Sequence, residues 1–296
     1  MWLFGDTLRS GLTPGLVSNS MLVSAGACVS QVIEPRDGPV IPDPGDHLAY
    51  WPMSVVVLRG STDRLVVLCA RIRRGTSGGG LDFTFLGTSA ATFDVASDGV
   101  PQLRGITPIT PDNPSGTQIN WGAAAFTTGK WIYVYGSRST GEKGVFGREL
   151  LVCRVPIDTP RDPTGFRFWD GSTWQAKASR ARPVLAADHG VSQTLSVDRL
   201  ASSDYVVVSK RDGDLGDFAY VWRGSSPTGP FTPHEAFSAP SDYPSGELQY
   251  APLAHPEITM ADGGLLVSVS RNTTDLARLG AEPSLGVPRF VETKRP

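Results

Sequence analysis

Four stretches of this chain share one pattern, and it leaves few folds open to the chain. Each is an apolar strand, a short polar turn and a second apolar strand. Ser54–Leu58 turns through Gly60 to Asp63 into Arg64–Ile72, and Ala123–Phe126 turns at Thr127, Thr128 and Gly129 into Lys130–Gly136. Thr194–Val197 turns at Ala201 to Asp204 into Tyr205–Lys210, and Glu257–Met260 turns at Asp262, Gly263 and Gly264 into Leu265–Ser270. The second strands read LVVLCARI, WIYVYGSR, YVVVSKR and LLVSVSR, and most end in a small residue followed by Arg or Lys. Asp-Gly and Thr-Gly between apolar runs favour hairpins, because the turn needs backbone angles that Gly adopts without strain.

Third strands are expected at Phe83–Leu86, Leu150–Val155, Phe218–Trp222 and Pro288–Val291, with outer strands at Ala91–Val95 and Phe166–Trp169. Each unit is then an antiparallel meander that cannot bury both of its faces alone. Such units stack radially as a β-propeller. The 33 Gly and 24 Pro are scattered between short apolar runs, which suits many strands and tight turns rather than helices. A two-sheet sandwich is the alternative, and the hairpin repetition weighs against it.

The first unit differs. Trp2–Thr7 (WLFGDT) aligns with the second strands, Gly5 with Gly136 and Asp6 with Ser137, and Asn19–Ser24 follows as a third strand. No first strand precedes it. The expectation is an all-β, five-bladed β-propeller over residues 1–296, one domain, with its first blade incomplete at the N-terminus. A strand upstream of Met1 is the favoured explanation; a mis-set start or ring closure by Arg289–Val291 are the others. Export to the envelope goes with an upstream start, and a cytoplasmic location with the start as it stands.

The formal net charge is -2 and 19% of residues are charged. Nucleic acid and anionic membranes want a basic excess, so neither is expected as a partner. No apolar run is long enough to span a bilayer, and Asp6 and Arg9 interrupt any export signal. Cys28, Cys69 and Cys153 lack metal-site spacing and read as small buried hydrophobes. No metal or other cofactor is expected, and nothing bears on oligomeric state.

WLFGDT with Ser18, Asn19 and Ser20, then Tyr50, Trp51 and Pro52, then Tyr250 with His255, Pro256 and Glu257 before LLVSVSR, resembles the bacterial domain of unknown function 4185 family. That family includes glycoside hydrolase family 183, endo-D-arabinanases that cut mycobacterial arabinan. The likeness runs through all units, and is similar more distantly to furanosidase propellers of families 43 and 62. It implies an axial carbohydrate site with Asp6 as a catalytic carboxylate. The family pattern usually has a second Asp on the strand before GDT, and this chain has no such strand. Phe168–Trp174 is similar to the Asp-box turn of sialidases, but Asp170 directly precedes Gly171 and no arginine triad can be assigned.

Glycosidic cleavage needs an acid for the leaving oxygen and a base or nucleophile on the opposite face. Asp6 fits the acid if Trp2 and Phe4 desolvate it; a turn Asp bonded to backbone N–H groups is the plainer reading. Glu257 is the expected partner acid if strand alternation turns it away from Ile258, or else pairs with an Arg such as Arg271. Asp43 and Asp46, in PDPGDH, are fallback acids. Trp51, Trp121 and Tyr250 are expected sugar platforms, although blade packing is the commoner use of Trp. Asn19, Asn120 and Gln193 are hydroxyl partners, and His255 a sugar ligand or a satisfied buried histidine. His47, His189 and His234 carry no signal. The resulting expectation is a hydrolase of furanose polysaccharide, endo-acting on D-arabinan by resemblance. The alternative is a propeller that binds glycan or protein without catalysis.

Overall fold

The computed structural model describes residues 1–25, 28–32, 38–45, 47–76 and 82–295. Its strands in chain order are β1 (Trp2–Phe4), β2 (Thr7–Leu8), β3 (Leu16–Val17), β4 (Ser20–Ala25), β5 (Cys28–Val32), β6 (Leu48–Leu58), β7 (Arg64–Arg74), β8 (Phe83–Val95) and β9 (Pro101–Pro108). Then follow β10 (Asn120–Thr128), β11 (Trp131–Arg138), β12 (Glu149–Pro156), β13 (Arg167–Trp169), β14 (Trp174–Gln175), β15 (Ser196–Ala201), β16 (Asp204–Lys210), β17 (Phe218–Gly224) and β18 (Phe231–Ser238). The last are β19 (Glu247–Ala254), β20 (Leu265–Thr273) and β21 (Arg289–Thr293). Five antiparallel sheets run in the orders β1-β4-β5, β6-β7-β8-β9, β10 through β14, β15 through β18, and β19-β20-β21, with β2–β3 a separate hairpin. These meanders are the blades of the five-bladed β-propeller class that the repeats predict. No helix among the described residues is long and apolar enough to cross a membrane.

The chain divides into two compact units, Met1–Ser115 with Thr159–Pro163 and Gly116–Asp158 with Thr164–Pro296. In the first, Met21, Val40, Ile41, Tyr50, Val67 and Phe93 share a core. In the second, Tyr135, Leu150, Val152, Leu195, Val207 and Trp222 do. The near-continuous apolar runs are the second strands. β7 and β11 each have a partner on both edges and are buried on both faces, so neither alternates.

Three sheets share a device within their first strand. β6 shifts register between Pro52 and Ser54, β10 between Trp121 and Ala124, and β19 between Tyr250 and Pro252. Each β-bulge follows an aromatic residue, and the residue across from that aromatic is small: Ala70 for Trp51, Gly136 for Trp121, Ser270 for Tyr250. Gly136 is required there, because a Cβ would lie 2.8 Å from the Trp121 ring.

Several expected spans move. The first strand of the last sheet is β19, not Glu257–Met260; His255 to Ile258 form a turn, where Pro256 has no N–H to give a ladder. Ala91–Val95 continues β8, and the outer strand is β9, whose Pro and Gly hid it. Cys69 and Cys153 are buried as expected, but Cys28 is exposed, since β5 packs neither face of its first four residues.

Candidate functional site

In the first unit, β1 ends at Phe4 and delivers Asp6 beside the ends of two strands of the next sheet. Arg74, the last residue of β7, donates Nη1 to Asp6 Oδ2 at 2.9 Å and Nη2 to Oδ1 at 2.5 Å. The Trp51 indole Nε1 donates to Asp6 Oδ1 at 2.8 Å. Both partners of the ion pair are about a third exposed, 34% each. The Trp51 ring meets Phe83 edge-on at 4.6 Å, and the Arg74 guanidinium lies 5.8 Å from its centroid.

Asp43 is the second acid of this cluster. Its Oδ1 accepts Ser18 Oγ at 2.5 Å and the Tyr50 N–H at 3.3 Å. The residue is exposed, but its carboxyl is turned in toward buried Ser18 and Tyr50. That burial raises its pKa above the usual carboxylate range; the bonds from Ser18 and Tyr50 and the charge of Arg74 pull down, and the charge of Asp6 pushes up. Arg74 is held above its ordinary value by its bond to Asp6 first, against burial, with both carboxylates adding. One guanidinium thus answers two acids. Asp46 lies outside the described residues.

Asn19 does not face a ligand. It is 0% exposed, its Nδ2 donates to the carbonyls of Ile41 and Tyr50 at 2.9 and 3.0 Å, and its Oδ1 accepts the Ile41 N–H at 2.8 Å. The side chain braces the loop that carries Asp43, and with every polar atom used it has none left for a sugar hydroxyl.

In the second unit Trp121 and Asn120 are also buried, 6% and 4% exposed. Trp121 packs on Phe168 at 5.4 Å and over Gly136, the packing role. Gln193 is half-buried; its backbone N–H donates to Asp214 Oδ1 at 3.0 Å and its carbonyl accepts Ser137 Oγ at 3.3 Å. Tyr250 is half-buried and belongs to β19. His255 lies just past the far end of that strand. Five residues at about 3.3 Å each put it about 17 Å from Tyr250, too far to hold the same sugar unit.

His255 belongs to another cluster. Its Nε2 lies 2.7 Å from Ser268 Oγ and its Nδ1 3.1 Å from Glu257 Oε1. Partial burial works to raise the Glu257 pKa, but the bond to His255, a bond to its own backbone N–H and the charge of His255 act together against it and leave it lowered. Nearby Asp198 is pushed up to about 7, by burial first and the Glu257 charge next, against a bond to Ser196 and the charge of His255. The sequence carried no sign of Asp198 or Arg74: one sits inside a strand, the other ends one, and both read as ordinary strand polarity. Among the described residues no group of three or more His, Cys, Asp or Glu is placed to hold a metal ion.

Lys210 ends β16 with no exposed surface, and its Nζ has no hydrogen-bond partner. Burial lowers its pKa from 10.5 to about 8, against the charges of Asp217 and Asp214. A folded pKa below the unfolded one means that folding releases protons, so stability should rise with pH between about 8 and 10.5. Lys210→Met should remove that rise and stabilise the protein at pH 7 by about 1–3 kcal/mol. Urea unfolding at pH 7 and pH 10 checks both effects.

No curated protein matches this chain. Among solved structures it is similar to the Cellvibrio cellulosa alpha-L-arabinanase complexed with arabinohexaose, at 11% identity and TM-score 0.45, covering 82% of this chain and 73% of that one. It is similar to an exo-1,5-alpha-L-arabinanase from a bovine ruminal metagenomic library, at 9% identity and TM-score 0.45, covering 93% and 85%. A Bombyx mori GH32 beta-fructofuranosidase gives 14% identity and TM-score 0.44 over 83% of this chain and 48% of that one, so the chain spans about half of that protein. Likenesses this remote do not decide family. Membership rests on sequence instead: a family model, DUF5005, a domain of unknown function, matches residues 17–292, and the chain belongs to that family.

Proposed function

We propose that this chain is a glycoside hydrolase of furanose polysaccharide, with Asp6 and Asp43 as its carboxylate pair. The observation that supports it best is the cluster in which Arg74 answers both acids beside the half-buried Trp51 indole. Asp43, held toward its protonated form by burial, suits the acid that protonates the leaving oxygen. Asp6, accepting N–H donors on both oxygens, suits the carboxylate that takes a proton from water. This reverses the expectation that Asp6 is the acid. The motif resemblance to the 4185 family and glycoside hydrolase family 183 makes the substrate D-arabinan, cut internally.

Glu257, the partner acid expected from the sequence, forms with Asp198 a second pair whose proton affinities are driven apart. His255 stays with it as a proposed sugar contact, and Gln193 and Tyr250 stay as proposed contacts to other sugar units. A non-catalytic glycan-binding role has its own support: Asp6 is already engaged by Arg74 and Trp51, and Arg74 must yield before it can act.

Oligosaccharide release from purified D-arabinan tests the proposal. The parent chain should release product, and Asp6→Asn should be slower by about 10² to 10⁴. If Asp6→Asn matches the parent while Glu257→Gln fails, the second pair is the catalytic one. If no protein releases sugar but all are retained on an arabinan column, the binding role holds instead.

A further inference from the structure

The second unit carries a cleft of about 440 Å³ that none of these residues lines. Its walls include His189, Arg211, Asp212, Asp217, Phe218 and Tyr220. That volume falls within the usual range for small-molecule sites.

The cleft is held in shape by its backbone. The Asp212 N–H donates to the Gly190 carbonyl at 2.9 Å, and the Gly216 N–H to the Gly213 carbonyl at 3.1 Å. A Cβ on Gly216 would lie 1.9 Å from the Arg211 carbonyl oxygen, so only Gly lets the loop close this tightly. His189 and Asp212 both take left-handed backbone angles, φ 55° and 65°, which bring His189 Nδ1 within 3.2 Å of Asp212 Oδ1. Non-Gly residues rarely hold such angles.

Arg211 is the informative residue. Its guanidinium lies 4.9 Å from the Tyr220 ring centroid, and its Nη1 donates to the Tyr220 hydroxyl at 3.2 Å. Among the described residues it pairs with no carboxylate, although Asp212 and Asp217 line the same cleft. A guanidinium has five N–H donors in a planar fork, and one is used. Beside it lie an exposed Phe218 ring, 42% exposed, and the His189–Asp212 pair, which offers a donor and an acceptor.

We infer that this cleft binds a carboxylate-bearing sugar, a uronic acid residue, with Arg211 taking the carboxylate in a two-pronged contact, Phe218 facing the ring C–H groups, and His189 and Asp212 taking hydroxyls. The assignment does not depend on the hydrolase reading, since it uses none of the same side chains.

The test follows the His189 imidazole proton resonances of the intact protein during titration with D-glucuronate, D-glucuronamide, D-glucose and inorganic phosphate. Glucuronate should shift them saturably, while the uncharged amide and glucose should not. Arg211→Lys keeps the charge but not the fork, and should weaken glucuronate binding roughly tenfold or more. Three outcomes would overturn the proposal: no saturable shift with glucuronate, an equal response to glucuronamide or glucose, or unchanged affinity in Arg211→Lys. Phosphate binding as tightly as glucuronate would overturn the sugar assignment by showing a simple anion hole. The amide and glucose arms need no variant, so they decide the matter even if Arg211→Lys folds poorly.

Discussion

Replacing Asp43 with asparagine should slow glycan release by about 10² to 10⁴ while leaving the fold almost as stable as the parent's. The two effects separate because they use different features of the side chain. Asparagine keeps an oxygen that can accept the Ser18 hydroxyl and the Tyr50 N–H, so stability should change by no more than about 1 kcal/mol. It has no proton to give a leaving oxygen. A general acid works only while protonated, so the parent's rate should fall as pH rises through the Asp43 pKa, which burial holds above the usual carboxylate range. The residual rate of Asp43→Asn should lack that descending limb. A pH–rate profile of both proteins checks this, and an unchanged limb in the variant would place the acid elsewhere.

The largest loss of stability is expected from Arg71→Met. Arg71 is 7% exposed in the middle of its sheet. Its Nε donates to Asp112 Oδ1 at 2.7 Å, Nη1 to the Thr88 carbonyl at 3.2 Å and Ser89 Oγ at 2.8 Å, and Nη2 to the Thr110 carbonyl at 2.9 Å. Methionine fills the stem's volume and makes none of these bonds. Asp112, 56% exposed, rehydrates, so the cost falls at the low end for a broken buried pair, about 3 kcal/mol. The shift in urea midpoint measures it, and a loss below about 1 kcal/mol would mean that water replaces the network.

Why some of this was legible in the sequence follows from what each strand must do. The second strands are buried on both faces, so LVVLCARI and WIYVYGSR stand out as apolar runs, and the hairpins around them fixed the fold class. Outer strands answer to no such demand. β18 (FTPHEAFS) is mostly exposed, and composition did not mark it as a strand. Asp6 stood out because it breaks a repeat. Asp43 was visible only as a loop acid, since its effect depends on Asn19 and buried Ile41 fastening that loop to the sheet. Trp121 misled because a large aromatic before a strand looks the same whether it packs on Gly136 or faces a sugar. The strand position of His255 misled because one residue pattern can mark either end of a strand until the strand itself is known.

The bulges that follow Trp51, Trp121 and Tyr250 bear on how such a chain can change over generations. In an unbroken strand, inserting or deleting one residue turns every later side chain to the opposite face, so the whole strand is inherited as a block. A bulge already absorbs extra residues, one in β6 and in β19 and two in β10, and it separates the leading segment from the one behind it. The strand can then gain or lose a residue at the bulge while the core alternation behind it stays in phase. Insertions and deletions within the family should therefore concentrate at the bulges, where they leave the core alternation on either side in phase.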